Sequence, residues 1–156
     1  MTYQMANLTN ATQKKIVENF QQELRNLVDF YGEIHNCTGF VYNGWRFSAQ
    51  ADRLGQLSMG FVLAAQDPNY SIGLETLDGQ IVTMAGGELL DFYIQINNFH
   101  QQTVRWCQTQ YQSIAAAADL DQLSALVNQI NSSALADQAA DHVKSRSTAT
   151  PRLYKL

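Results

Sequence analysis

The sequence predicts an α+β fold that is mostly helical, with two short β-hairpin or strand segments, a long helix at about 87–115 and an extended C-terminal arm. Three observations carry that expectation. Apolar residues recur at steps of three and four over several long stretches, the spacing of one face of an α-helix. Two hairpin turn signals, Asn43-Gly44 and Asp78-Gly79, interrupt them. The last stretch loses apolar periodicity and becomes small, polar and basic. The expected organisation is an amphipathic helix in 1–37, a small α+β unit in 38–130 and an arm in 131–156.

Residues 1–9 are polar and read as a leader. Thr9 or Asn10 can cap a first helix, because a short side-chain oxygen there accepts from a free first-turn N–H. Its apolar residues are Ile16, Phe20, Leu24, Leu27, Tyr31 and Ile34, and Lys14, Lys15, Glu18, Gln21, Gln22, Arg25 and Asp29 occupy the other face. Gly32 and the cluster Asn36, Cys37, Thr38, Gly39 mark its end. Such a helix needs a partner, either the rest of the fold or a further copy. Ile16, Phe20, Leu24, Leu27 and Tyr31 are therefore candidate partner-binding residues.

Residues 40–47 read as a hairpin, with aromatic and β-branched residues on both sides of a turn that needs positive φ twice. Ser48 is placed to cap a second helix over 49–65, with Leu54, Leu57, Phe61, Val62 and Ala65 inward. Residues 70–77 alternate Tyr70, Ile72, Leu74 and Thr76 on one side, as a half-buried strand does. Asp78-Gly79 turns the chain into a returning strand at 81–84. The long helix then carries Tyr93, Ile96, His100, Val104, Cys107, Tyr111 and Ile114 as its stripe. At 1.5 Å per residue it measures about 42 Å, more than a small core covers, so part of it is expected to meet another chain. Asp119 precedes a shorter helix at 120–130.

The composition limits the function. Of 156 residues, 11 are Asn and 17 are Gln, while charged residues make up only 15%, so amides solvate much of the surface. A surface of that kind generates weak long-range fields and is poorly suited to steering nucleic acid or ionic substrates. From Asp141 onward four Lys/Arg face one acid, giving +3, and the remaining 140 residues then total −7. Lys144, Arg146, Arg152 and Lys155 make a weak basic arm without a base-reading module, so no specific nucleic-acid partner is expected. No apolar run nears the roughly 18 residues of a membrane span, and the N-terminus lacks a signal-peptide core, so no membrane partner is expected either.

Residues that could carry chemistry have plainer readings beside them. Cys37 stands two residues from His35, a nucleophile and base at first sight, yet a thiol buried at a helix end is the simpler reading. His35, His100 and His142 are scattered and no C-x-x-C occurs, so neither metal nor cofactor is expected. Gly86-Gly87 could present N–H groups to an anion, but Glu88 occupies that place. Asp119 and Asp121 suit a helix start, and Glu75 and Asp78 flank a turn. His100 reads as a core or interface histidine. Trp45 reads as a core residue, while Trp106, off the stripe, is a candidate contact for protein or sugar. Leu153, Tyr154 and Leu156 are candidate anchors for an arm held by a neighbouring subunit. No catalytic set emerges, and the chain is not expected to be an enzyme.

Over residues 39–128 several pieces fall in a familiar order. Gly-Phe-Val-Tyr-Asn-Gly-Trp-Arg-Phe-Ser-Ala is followed by a helix, a strand, Leu77-Asp78-Gly79-Gln80, Ile81-Val82-Thr83-Met84 and Glu88-Leu89-Leu90. A Gln-rich helix and Ile-Ala-Ala-Ala-Ala-Asp-Leu-Asp-Gln-Leu, starting at Ile114, complete the block. This block resembles a family of uncharacterised domains found in tailed-bacteriophage tail, tail-fibre and fibre-assembly proteins. The chain departs from that pattern at Gln50, Gln56 and Ala85, where the family tends to have an acid, an arginine and a capping threonine. The resemblance implies a structural virion protein in the phage tail, made in the bacterial cytoplasm. It implies assembly with other tail proteins and with further copies as a homo-oligomer, and it transfers no catalytic residue. A fibre-assembly chaperone, absent from the mature particle, is the alternative.

Overall fold

The computed structural model describes residues 9–147, built from five helices and two antiparallel strand pairs among the described residues. Helix α1, Asn10–Thr38, is capped by Thr9, whose hydroxyl accepts from the Thr12 N–H at 3.3 Å. The first hairpin joins β1, Phe40–Tyr42, to β2, Trp45–Phe47. Asn43 and Gly44 both take positive φ, at 48° and 82°, as the turn signal required. Helix α2, Ala51–Gln66, starts at Gln50 without a side-chain cap, and the Ser48 hydroxyl instead accepts from the Gln50 N–H at 3.4 Å. The expected Ser48 cap is therefore displaced by two residues, because 48–50 remain extended.

The second hairpin pairs β3, Ser71–Glu75, with β4, Ile81–Ala85. Its loop is longer than a two-residue turn. Gly79 N–H donates to Thr76 O, Thr76 N–H donates to Gln80 O, and only Gly79 has positive φ. That is a type I turn closed by a left-handed glycine, the usual three-residue hairpin loop. Leu77 N–H then donates to Arg46 O at 2.9 Å and ties the two hairpins together.

Helix α3, Gly86–Ala116, is the spine, and its 31 residues extend about 46 Å. Its first half lies in a core of Phe40, Tyr42, Phe47, Ala49, Leu57, Leu74, Met84, Leu89, Phe92 and Ile96. Phe92 centres that core, receiving Phe40, Tyr42 and Phe47 edge-on at ring distances of 5.7, 5.1 and 4.9 Å. Its second half joins α1 and α4, Leu120–Asn131, in another core built on Leu24, Val28, Ile114, Ala117, Leu123 and Ile130. One rod serves two cores, which is why it exceeds the length either needs. Helix α1 runs antiparallel along the second half of the rod and packs against it there, while Leu90 and Ile94 of the first half stay exposed.

The described part of the 131–156 arm, up to Ser147, differs from the extended arm expected. Residues Ala134–Ser147 form a helix, α5, which packs on α1 with Ala136 and Ala139 buried. Periodicity concealed it, because its core-facing residues are alanines that write no apolar stripe. The 1–37 segment is likewise no separate unit, since α1 walls the second core. Leu153, Tyr154 and Leu156, together with the leader at 1–8, lie outside the described residues.

Candidate functional site

The sequence-predicted partner residues of α1 are spent inside the chain. Leu24 is buried in the second core, and Phe20, Leu27 and Tyr31 pack against it. Ile16 is half-buried near the start of the helix. Trp106 is half-buried against the same core. Of the two partners open to the α1 face, the rest of the fold supplies these contacts. Polar groups hold the same junction. Gln21 Nε2 donates to the carbonyls of Ile114 and Ala117 at 3.1 and 3.2 Å, satisfying the end of α3. Tyr31 donates to Asn131 at 2.6 Å, and Tyr111 donates to Asp29, which together with burial pushes the Tyr111 phenol up.

The two titratable residues at the end of α1 are engaged separately. The His35 ring stacks on Phe99 at 4.5 Å and its Nδ1 meets the Gln138 carbonyl oxygen. Gln138 Nε2 donates to Thr38 Oγ1 at 3.0 Å, and that hydroxyl donates to Ile34 O at 2.7 Å. This chain of bonds fastens α5 to α1. Burial pushes the Cys37 thiol up, with the carboxylates of Glu33 and Asp52 adding to it, so the thiolate is disfavoured. Cys37 and Cys107 are both free thiols. His100, on the long helix, has Nδ1 2.8 Å from Ala49 O, and the bond to that acceptor makes Nδ1 the donor.

Several concave regions lie among the described residues. A polar cleft of about 400 Å³ opens at the start of α2, lined by Gln50, Asp52, Arg53, Gln56, Glu75 and Thr76 among others. Arg53 spends one donor on Glu75 O at 3.0 Å across it. Among the described residues no group of three or more His, Cys, Asp or Glu is gathered to hold a metal. An apolar hollow of about 220 Å³ lies between α2 and the start of α3, lined by Phe61, Ala64, Ala65, Pro68, Gly86, Gly87 and Leu90. The Gly86-Gly87 pair thus belongs to an apolar wall. A third groove, of about 360 Å³, runs between α1 and α5.

Around the apolar hollow the surface stays greasy. Leu90, which lines it, and Ile94, one turn further along α3, are 40% and 48% exposed; elsewhere on α2, Met59, Val62 and Leu63 are exposed too. The Phe61 ring stacks on Tyr93 at 4.8 Å between the two helices. On the first hairpin Trp45 and Val41 are exposed, so the core role expected of Trp45 is corrected. Trp45 shares the face of Phe47 and pairs with buried Tyr42, yet it stands at the turn end of the ribbon, where it is 40% exposed. Sequence reading missed Leu90 and Ile94 as surface residues because they sit beside the stripe of a helix that is apolar on more than one side. Among the described residues no helix is long and apolar enough to cross a membrane. Comparison with protein-family models, curated proteins and solved structures finds no match.

Proposed function

We propose that this chain is a structural component of a tailed-bacteriophage particle, a small tail, baseplate or fibre-attachment protein that works through protein–protein assembly. The observation that carries the reading is the exposed apolar surface of α2 and α3, with Leu90 lining the hollow beside Phe61 and Ile94 exposed one turn further along α3. Aliphatic side chains clustered around a concavity favour a protein partner over a charged ligand. The motif order over 39–128, with Asn43-Gly44 and Asp78-Gly79 in true hairpins, supports the same reading, as does the amide-rich, weakly charged composition. Its partners are other tail proteins and further copies of itself.

Mass spectrometry of purified particles tests this, beside light scattering of the isolated protein. A fixed copy number per particle, at a multiple set by ring or trimer symmetry, is the expected result. Absence from the particle together with a soluble monomer or dimer would transfer the role to a fibre-assembly chaperone. Leu90→Asp with Ile94→Asp should abolish incorporation while leaving the fold intact, because both side chains already face outward.

A further inference from the structure

Each sheet has only two strands, so the hairpins keep outer edges. The register of the second hairpin fixes which backbone groups point outward. Thr76 N–H donates to Gln80 O at 2.8 Å, and antiparallel pairs alternate between bonded and non-bonded. Leu74 with Val82 and Ile72 with Met84 are therefore the bonded pairs, and Ile81, Thr83 and Ala85 turn their backbone groups away from β3. The outer edge of β3 is engaged by α2, since Glu75 O accepts from Arg53 at 3.0 Å. That of β2 is engaged through Arg46 O and the Leu77 N–H. On β4, by contrast, Ile81, Thr83 and Ala85 are all exposed, and Ile81, at 66%, is the most exposed large apolar residue among those described. Open edges are ordinarily blunted by lysine, proline or a bulge, and Ile81-Val82-Thr83-Met84-Ala85 has none of them.

We propose that β4 is a self-association edge: two copies of the chain pair β4 with β4, antiparallel about a two-fold axis at Thr83, into one four-stranded sheet. Centring on Thr83 overlaps the whole strand, Ile81–Ala85. Thr83 then faces Thr83 of the second copy, and the two exchange both backbone bonds. Each Ala85 N–H donates to Ile81 O of the other copy, while the Ala85 carbonyl, at the N-cap of α3, serves the helix. Charge selects the occupant. A two-fold axis sets Thr83 against its own counterpart, so a charge there would meet itself, and β4 carries none. The nearest charge in the ribbon is Glu75, on the far strand opposite Ile81. Thr against Thr is also a favourable cross-strand pair. A two-stranded ribbon is marginal by itself, and pairing doubles it. An edge of 5 residues covers less than the roughly 800 Å² per partner of a standard interface, so the dimer depends on concentration.

Sedimentation velocity of the full chain across a concentration series tests this, with Thr83→Lys and Thr83→Glu beside the natural chain. Thr83 is exposed, so neither substitution reaches a core, and circular dichroism checks that both variants fold. The natural chain is expected to pass from monomer to dimer as concentration rises. Each variant alone should weaken that dimer about fivefold or more, because like charges then face each other. An equimolar mixture of the two variants should recover it, since opposite charges then meet across the axis. Leu90→Asp with Ile94→Asp should leave the dimer unchanged, which separates this edge from the surface that carries the proposed function. A natural chain that stays monomeric at its highest soluble concentration, Thr83 variants that dimerise as it does, or a mixture no tighter than either variant would each overturn the proposal. So would a dimer lost in the Leu90, Ile94 variant. The outcome is independent of whether the protein is found in particles.

Discussion

At the scale of single residues, stability concentrates where side chains meet across elements distant in sequence. Phe92 has three aromatic edges on its ring and is fully buried, so Phe92→Ala is expected to cost about 3–5 kcal/mol. Chemical denaturation of the purified variant reads that loss directly. Gly32 of α1 lies against α3, where an added Cβ would stand 2.7 Å from Cys107 Sγ. Gly32→Ala should therefore destabilise by about 1–3 kcal/mol, and Cys107→Ala in the same chain should return most of it. Additive losses in that cycle would contradict the contact. The Tyr42 hydroxyl donates to Asp91 at 2.9 Å, and burial, with that carboxylate, pushes its phenol up to about 12. A phenol raised above its unfolded value stabilises the fold below about pH 10, and this contribution fades as the pH climbs towards 12. Tyr42→Phe should thus flatten the alkaline part of the stability profile and lower stability by about 1 kcal/mol at neutral pH. None of these contacts was legible in sequence, since Phe92 sits one position off the stripe that periodicity picked out.

At the scale of elements, local signals proved trustworthy where they were stereochemical. Asn43-Gly44 and Asp78-Gly79 demanded left-handed backbone, and the chain turns at both. Thr9 and Asp119 cap α1 and α4 through their own oxygens, as short polar residues before a periodic run do. The failures have one physical cause, namely that burial is decided by neighbours. Helix α5 shows only alanines to the core, and its hold depends on Gln138 bridging His35 and Thr38. Removing 134–156 should consequently lower the melting temperature clearly, because Ile34 and Gly39 lose their cover. Removing only 148–156 should leave it nearly unchanged, and differential scanning calorimetry of both truncations separates the two. The face of α1 illustrates the same point, since amphipathicity announced that Leu24, Leu27 and Tyr31 need a partner without saying that α3 and α4 supply it.

At the scale of the whole molecule, α3 links two cores, so damage at either end should be felt by the other. Gln21→Ala removes the side-chain donor that reaches the carbonyls of Ile114 and Ala117 at the far end of the rod, leaving Ile114 O only the Ala117 N–H. That change is expected to cost about 1 kcal/mol and to preserve a single unfolding transition. Two separated transitions in calorimetry would mean that the cores melt independently. The apolar hollow between α2 and α3 belongs to this scale too, because it exists only when the two helices pack through Phe61 and Tyr93. Sequence alone determined the α+β class, the two hairpins, the capped helix starts and the weakly charged, amide-rich surface, since each follows from local backbone stereochemistry or from composition. Only the tertiary structure decided which apolar faces are spent within the chain and which stay exposed. Helical periodicity states that a face must be covered, but the cover is chosen by contacts between residues that lie, like Gln21 and Ile114, more than ninety positions apart.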